Sequence, residues 1–268
     1  MPGLPEKKKI LITVRTYPSP ARQGVEVSCT GGITQDKKWI RLFPMPYRFL
    51  KPNQRFSKYQ WIEAKVTKAA GDGRPESYHI DRDSIKIISE ILSTARAWQK
   101  RKAVVYQLKK HCLCCIKKER DEKGSPTLGI FKPKIIECLE IEPEKEVTWT
   151  TDQLEKLRQG DLLENAPKEE LEKIPYKFRY SFRCDHADCP SHTAICTDWE
   201  MSESYRKWRD TYGGKWESKF RERYESDMIS KCDTHFYVGT IHGHPATWII
   251  VGLFYPPFPS EESTPSLF

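Results

Sequence analysis

The chain has 268 residues, of which 38% are hydrophobic and 12% aromatic, with 8 Trp, 12 Tyr and 11 Phe. That much large apolar surface excludes an intrinsically disordered chain in spite of a charged fraction of 31%. The net charge of +8 is unevenly spread: residues 1–70 hold 14 basic against 4 acidic residues, residues 96–134 hold 12 against 3, and residues 137–172 reverse the sign with 4 against 12. A basic N-terminal module suited to a polyanion is expected, followed by an acidic segment that could instead dock a protein partner.

No apolar run reaches the roughly 20 residues of a membrane span. The opening "MPGLPEKKKILITV" lacks the apolar core and small-residue cleavage site of a signal peptide. The expectation is a soluble, cytoplasmic protein with no membrane partner. Nine cysteines, an odd number without a secretion signal, point to reduced thiols, some of them metal ligands, rather than to a disulfide framework.

In chain order, "KKILITVRTYP", "GVEVSCTGGIT", "KWIRLFPM" and "YQWIEAKVTKA" are short β-rich runs separated by Pro, Gly, Ser and Asp, the pattern of a small barrel or sandwich. In the loop "PMPYRFLKPNQRF", Tyr47, Phe49 and Phe56 alternate with Arg48, Lys51 and Arg55. Cations that follow phosphates and rings that stack on bases are the requirements of single-strand binding. Trp39, Arg41, Tyr47, Arg48, Phe49, Lys51 and Arg55 are therefore candidate nucleic-acid contacts, with Trp61 a further ring. A helix is predicted over 93–112 with Ser93 or Thr94 as N-cap, then an exposed loop "KKERDEKGSP", a strand from "TLGIFKPKIIECLEIEP", and a helix over 150–163 opened by a Thr150/Gln153 capping box.

In "YKFRYSFR", Tyr176, Phe178, Tyr180 and Phe182 share one strand face, and Lys177, Arg179 and Arg183 the other. Lys177 and Arg179 join the candidate binding surface on that ground. Two helices broken at Gly213 and Gly214 follow, then a hairpin turning near Gly243 to Pro245. The expected architecture is α+β, an N-terminal OB-like β-barrel and a zinc-stabilised C-terminal domain. Its parts are 1–145 for the barrel with one helix, 146–173 for the acidic connector, 174–256 for the zinc domain and 257–268 for a disordered tail.

Residues 24–48, "GVEVSCTGGITQDKKWIRLFPMPYR", resemble the opening of the dual-OB-type domains of bacterial conflict and defence proteins, in which a turn leads into a Gly-x-Trp-Ile-Arg-like strand. Here Lys37 and Lys38 precede Trp39, Ile40 and Arg41, so the glycine of that turn is absent. The resemblance implies an oligonucleotide-binding barrel with a sensing role in antiviral defence, and no catalytic residue.

The densest chemistry lies in "CDHADCPSHTAIC", which holds Cys184, His186, Cys189, His192 and Cys196. Thiolate and imidazole are the ligands Zn²⁺ favours, and four of them close a tetrahedral structural site. Cys184, Cys189, His192 and Cys196 are the expected ligands, with His186, Cys232 or His235 as substitutes. "HCLCC" places His111, Cys112, Cys114 and Cys115 on one helix end, where they cannot all reach one ion, so they are read as packing thiols.

The function expected is binding of single-stranded DNA or RNA by a zinc-containing protein, as a sensor or recognition subunit of a prokaryotic defence system. Two alternatives stand. One is a metal-dependent nuclease using Asp36, Glu63 and Lys65, or His242 and His244 with Asp198 and Glu200. The other is a protein-interaction subunit.

Overall fold

The first strand, β1 (Glu6–Arg15), carries five consecutive buried residues, Ile10 to Val14, where a strand with one face in water would alternate. Both of its faces are covered. Ile10 and Ile12 pack with Ile40, Ile62 and Val66 in one core, whereas Val14 packs with Ile130, Tyr237 and Val251 in another. The computed structural model describes residues 3–21, 25–159 and 165–259, in which a closed OB-like barrel abuts a second sheet with helices.

In the barrel, β1 pairs antiparallel with β3 (Glu26–Thr34), and β3 with β4 (Trp39–Met45). β4 runs parallel to β6 (Ser77–Ile80), β6 pairs with β5 (Trp61–Lys68), and β5 returns to β1 to close the ring. The short β2 (Ser19–Pro20) and β7 (Lys86–Ile87) lie on β3 and β5. Along β5, Ile62, Ala64 and Val66 are buried while Glu63 and Lys65 face outward. Gly32 permits the close approach of β3 to β1, since a Cβ there would meet Ile10 Cγ2 and the Leu11 carbonyl at 2.6 Å. Four of the five barrel strands follow the sequence expectation, and β6 is an addition.

The second sheet has the order β10-β11-β12-β14-β13-β9-β8, built from β8 (Lys109–Lys110), β9 (Leu128–Phe131), β10 (Ile135–Pro143), β11 (Tyr176–Arg183), β12 (His192–Cys196), β13 (His235–Ile241) and β14 (His244–Phe254). Residues 109–143, expected in the barrel domain, thus supply three strands of the second sheet. Helices α1 (Ala95–Val105), α2 (Leu113–Lys123) and α3 (Thr151–Gln159) precede β11; α4 (Trp199–Tyr212) and α5 (Trp216–Arg221) lie between β12 and β13. α5 continues through a π-helical segment, Glu222–Asp227, to Met228–Ser230.

The aromatic face of β11 is core, as expected: Phe178 stacks on Phe220 at 4.6 Å and the Tyr180 hydroxyl donates to the Tyr224 carbonyl at 2.6 Å. The break between α4 and α5 falls at Gly213 (φ 52°), and the β13–β14 hairpin turns at Gly243 (φ 75°). The Thr150/Gln153 capping box forms, although the expected end of that helix, like the tail from residue 260, lies outside the described residues. Two local expectations change. The helix predicted over 93–112 ends at Val105, and much of the predicted loop "KKERDEKGSP" is helix α2, stopped by Gly124 in the left-handed region (φ 71°). No helix among the described residues is long and apolar enough to cross a membrane.

The two sheets are locked by buried polar groups. Arg41 on β4 is 2% exposed and donates to Ser77 Oγ (3.2 Å), Thr127 Oγ1 (3.1 Å) and the Thr127 carbonyl (2.9 Å), while Glu76 accepts from the Thr127 amide and hydroxyl. Removing one member of a buried charged network leaves the rest desolvated without compensation. Arg41→Ala should therefore lower stability by about 3–5 kcal/mol in urea unfolding; a destabilisation within experimental error would show that the network does not hold the sheets together.

Candidate metal centre

Three segments meet at one end of the second sheet. Cys184 directly follows β11, Cys189 lies in the turn beyond it, and His192 opens β12. The turn is shaped by its own backbone: the Cys184 amide donates to Cys189 Sγ at 3.1 Å, the Cys189 amide to the His186 carbonyl at 3.1 Å, and Ser191 takes a positive φ of 63°. Phe182 packs against the His192 ring, centroids 5.3 Å apart.

The fourth group comes from the first turn of α2. Cys114 Sγ lies 3.2 Å from His192 Nε2, and Cys189 Sγ lies 3.4 Å from the same nitrogen. The ligand atoms of Cys114, Cys184, Cys189 and His192 all lie within 4.8 Å of one another. Tetrahedral bonds of about 2.3 Å to sulfur and 2.0–2.1 Å to nitrogen separate ligand atoms by about 3.6–3.8 Å, so this Cys₃His set has the dimensions of a four-coordinate site and fits a metal ion. It is the one such His/Cys/Asp/Glu group among the described residues.

The electrostatics suit a cation. Burial, then the neighbouring Cys184 and Cys189 thiols, push the Cys114 thiol up to about 12. Burial also raises Cys184, while Cys189 is lowered by hydrogen bonds that outweigh its desolvation. Burial, with Lys117 adding to it, lowers His192 to about 4, which keeps the imidazole neutral and able to ligate. Two of the three crowded thiols, Cys114 and Cys184, resist ionising, and a dication is the partner that would offset the charge of three thiolates.

Cys196 is not in the cluster. It lies 5% exposed on β12 opposite Phe178, in the apolar core; it shares the strand face of His192, but four residues of strand rise carry it about 13 Å farther along the sheet, away from the cluster. Of the substitutes, His186 accepts from the Asp188 amide, Cys232 bridges to Pro257, and His235 is buried beside Tyr106 with Nδ1 on the Asp233 carbonyl. The residue missed is Cys114. "HCLCC" was visible as a run, and only one of its thiols needs to reach the ion. Cys112 and Cys115 are joined to each other in a disulfide, where reduced thiols were expected, and Cys112 Sγ caps α2 by accepting from the Cys115 amide at 3.0 Å.

The expected nucleic-acid contacts are largely internal. Arg41 is held in the buried network described above, out of reach of a polyanion, and Phe49 is 8% exposed. Arg48 pairs with Glu26 at 3.0 Å and donates to the Glu169 carbonyl; Arg55 donates to the carbonyls of Leu50 and Arg48. Tyr47 is packed edge-on against Phe56 and Trp199. Lys51 alone of that loop's cations stays open, 4.0 Å from Asp83, and Trp61 is half-buried. On β11, Lys177 pairs with Glu144, just past the end of β10, and Arg179 with Glu142 of β10, at 3.1 Å each, so the basic face is neutralised by the acidic segment beside it. Glu172 of the acidic segment likewise pairs with Arg206 and Arg209 of α4. The nuclease sets are not assembled: Glu63 pairs with Lys7, Asp36 with Lys38, and Asp198 is buried against Lys58, whereas His242 sits beside Asp72.

Elemental analysis should find metal in the wild type, reduced in Cys114→Ser and Cys189→Ser and unchanged in Cys196→Ser. Chelation should lower the melting temperature, since site formation and folding are coupled. Full metal content in Cys114→Ser would place that thiol outside the site.

No curated protein matches the chain. Residues 6–107 match the family described as a domain of unknown function (DUF8758), a span that corresponds to the barrel and α1. Residues 109–268, more than half of the chain, match a second family, and the boundary falls at β8, where the second sheet begins. The chain belongs to that second family, a domain of unknown function (DUF8757).

Proposed function

We propose that the protein binds single-stranded nucleic acid through its barrel and that the Cys₃His cluster holds a structural zinc ion. The observation that carries the first part is a cleft of about 410 Å³ at the rim of the barrel, lined by Lys8, Lys37, Lys38 and Lys110 around Trp39 and Tyr78. Trp39 is held edge-on by Tyr237, ring centroids 6.1 Å apart, and Lys8 and Lys68 lie over the Tyr78 ring at 5.5 and 4.8 Å. Rings fixed in orientation beside cations are what stacking on bases and neutralising phosphates require. The acids present do not cancel this. Lys8–Glu6, Lys38–Asp36 and Lys110–Glu119 are surface pairs worth about 0–1 kcal/mol, weak enough for a phosphate to displace, and Glu76 is committed to Thr127.

Zinc is supported by the donor set, three thiols and one imidazole, which suits a borderline-soft ion better than a hard one. Four protein ligands leave no position for a reacting water, which favours a structural role. The ion would join α2 to the β11–β12 turn.

Binding of a labelled single-stranded oligonucleotide should weaken in Lys37→Glu/Lys38→Glu, with a salt slope flatter by about 0.7 for each phosphate that the variant no longer neutralises. Trp39→Ala should cost about 1–3 kcal/mol for each base stacked. Lys177→Glu should change little. Equal affinity of the wild type and the cleft variants would remove the cleft from the binding surface.

A further inference from the structure

A second cavity, about 250 Å³, lies where the segment around Lys58, helix α1, the end of β14 and the start of α4 meet. Its volume falls below the roughly 300–1,000 Å³ of pockets for drug-sized ligands, and so suits a small head group. Lys58 is buried at its base, 3.1 Å from Asp198 Oδ2 and 3.0 Å from Glu200 Oε2. Asp198 is fully engaged: Oδ1 caps α4 at the Met201 amide, and Oδ2 also accepts from the Leu253 amide. Glu200 is 47% exposed at the side chain.

Two guanidiniums line the same cavity. Arg15 lies 4.4 Å from the Tyr47 ring and 5.1 Å from that of Trp199; Arg101 lies 4.2 Å from Tyr59 and 4.7 Å from Trp98. Neither makes an ion pair among the described residues, whereas Arg206, Arg209 and Arg223 nearby are each committed to a carboxylate. Arg101 Nε donates to the Leu92 carbonyl, while Arg15 Nε is buried without an acceptor. Stacking holds each planar fork in place and leaves its terminal donors uncommitted.

The backbone beside the cavity is strained. Arg96, Ala97 and Trp98 occupy the left-handed region in succession, with φ of 50°, 48° and 62°, a costly conformation for residues bearing a Cβ. The turn lays the Trp98 ring against Phe254 at 5.3 Å and Tyr255 at 5.7 Å, and Arg101 follows it on α1. Strain of this kind persists where the surroundings enforce it, commonly at ligand sites.

We infer that this cavity binds a phosphate group, carried either on a free nucleotide or on the end of a nucleic-acid strand, with Arg15 and Arg101 as its forked donors. Planar guanidiniums match phosphate oxygens two bonds at a time. Among the described residues Glu200 is the one lining carboxylate that opposes the ligand, because Asp198 is turned inward to Lys58 and the backbone. The strand-end source rests on the proposed binding of nucleic acid by the barrel, and the nucleotide source does not.

Calorimetric titration of the full chain with adenosine monophosphate and with adenosine, beside titration with 5′-phosphorylated and 5′-hydroxyl oligonucleotides, separates the sources. Binding of the nucleotide but not the nucleoside assigns a free nucleotide. Preference for the phosphorylated strand without nucleotide binding assigns a strand end. In either case Arg15→Ala and Arg101→Ala should weaken the phosphate-dependent binding about tenfold or more, and Glu200→Gln should tighten it. Lys37→Glu/Lys38→Glu should leave the phosphate dependence unchanged. Melting temperatures of the arginine variants report their folding, and Glu200→Gln, which gains affinity, cannot be explained by unfolding. Binding indifferent to the phosphate in both ligand pairs, or unaffected by all three cavity variants, overturns the assignment; oligonucleotide binding that persists without phosphate dependence would do so while leaving binding at the barrel cleft intact.

Discussion

Arg41 puts a full positive charge between two sheets, and its partners come from both: Ser77 belongs to the barrel, Thr127 precedes the first long strand of the second sheet, and Glu76 anchors Thr127 in turn. Lys58 repeats the arrangement, a barrel cation held by Asp198 from the start of α4. A buried cation is tolerated only with its partners in place. Each therefore specifies one way of seating the barrel on the second sheet, and the apolar cluster of Val14, Ile33, Tyr237 and Phe254 fills the space between them.

That seating decides what surface the barrel has left. An OB-type barrel commonly presents the face of its second and third strands to a ligand. Here those strands, β3 and β4, send Ile33 and Arg41 into the junction, and the cations and rings that cluster beside them lie at the rim, on the β3–β4 turn and on β6. The junction also creates the second cavity, since Arg15, Lys58 and Tyr59 come from the barrel side and Glu200 and Tyr255 from the other.

The Cys₃His cluster works on a smaller scale. The α2 helix buries Leu113 and Ile116, and Ile116 lies so close to β9 that a Cβ on Gly129 would meet it at 2.8 Å. Its remaining length is charged and half-buried or exposed, so apolar burial holds it along one short stretch. A metal held there would bridge Cys114 to the turn after β11 and add a second point of attachment, and two points would fix the helix direction.

The local elements were legible in the sequence because their causes are local. The alternation of Tyr176, Phe178, Tyr180 and Phe182, the glycine break at Gly213, the turn at Gly243 and the Thr150/Gln153 cap all express backbone or side-chain preferences of adjacent residues. So did three of the four clustered ligands, which sit within nine residues of one another. What the sequence could not assign was the fate of charge and the fourth ligand. Lys177 and Arg179 read as a basic face until β10 and the residue after it bring Glu142 and Glu144 within ion-pair distance, and Arg41 reads as a phosphate contact until Thr127 arrives across the junction. Cys114 and Cys196 are both plausible partners for Cys184 by composition. The length of β12 carries Cys196 four residues along the strand into the core, and the packing of α2 delivers Cys114 across 70 residues of chain. Spacing along a chain determines which groups can share a turn or a face, whereas electrostatic pairing and metal coordination depend on distance in space, which only the tertiary fold sets.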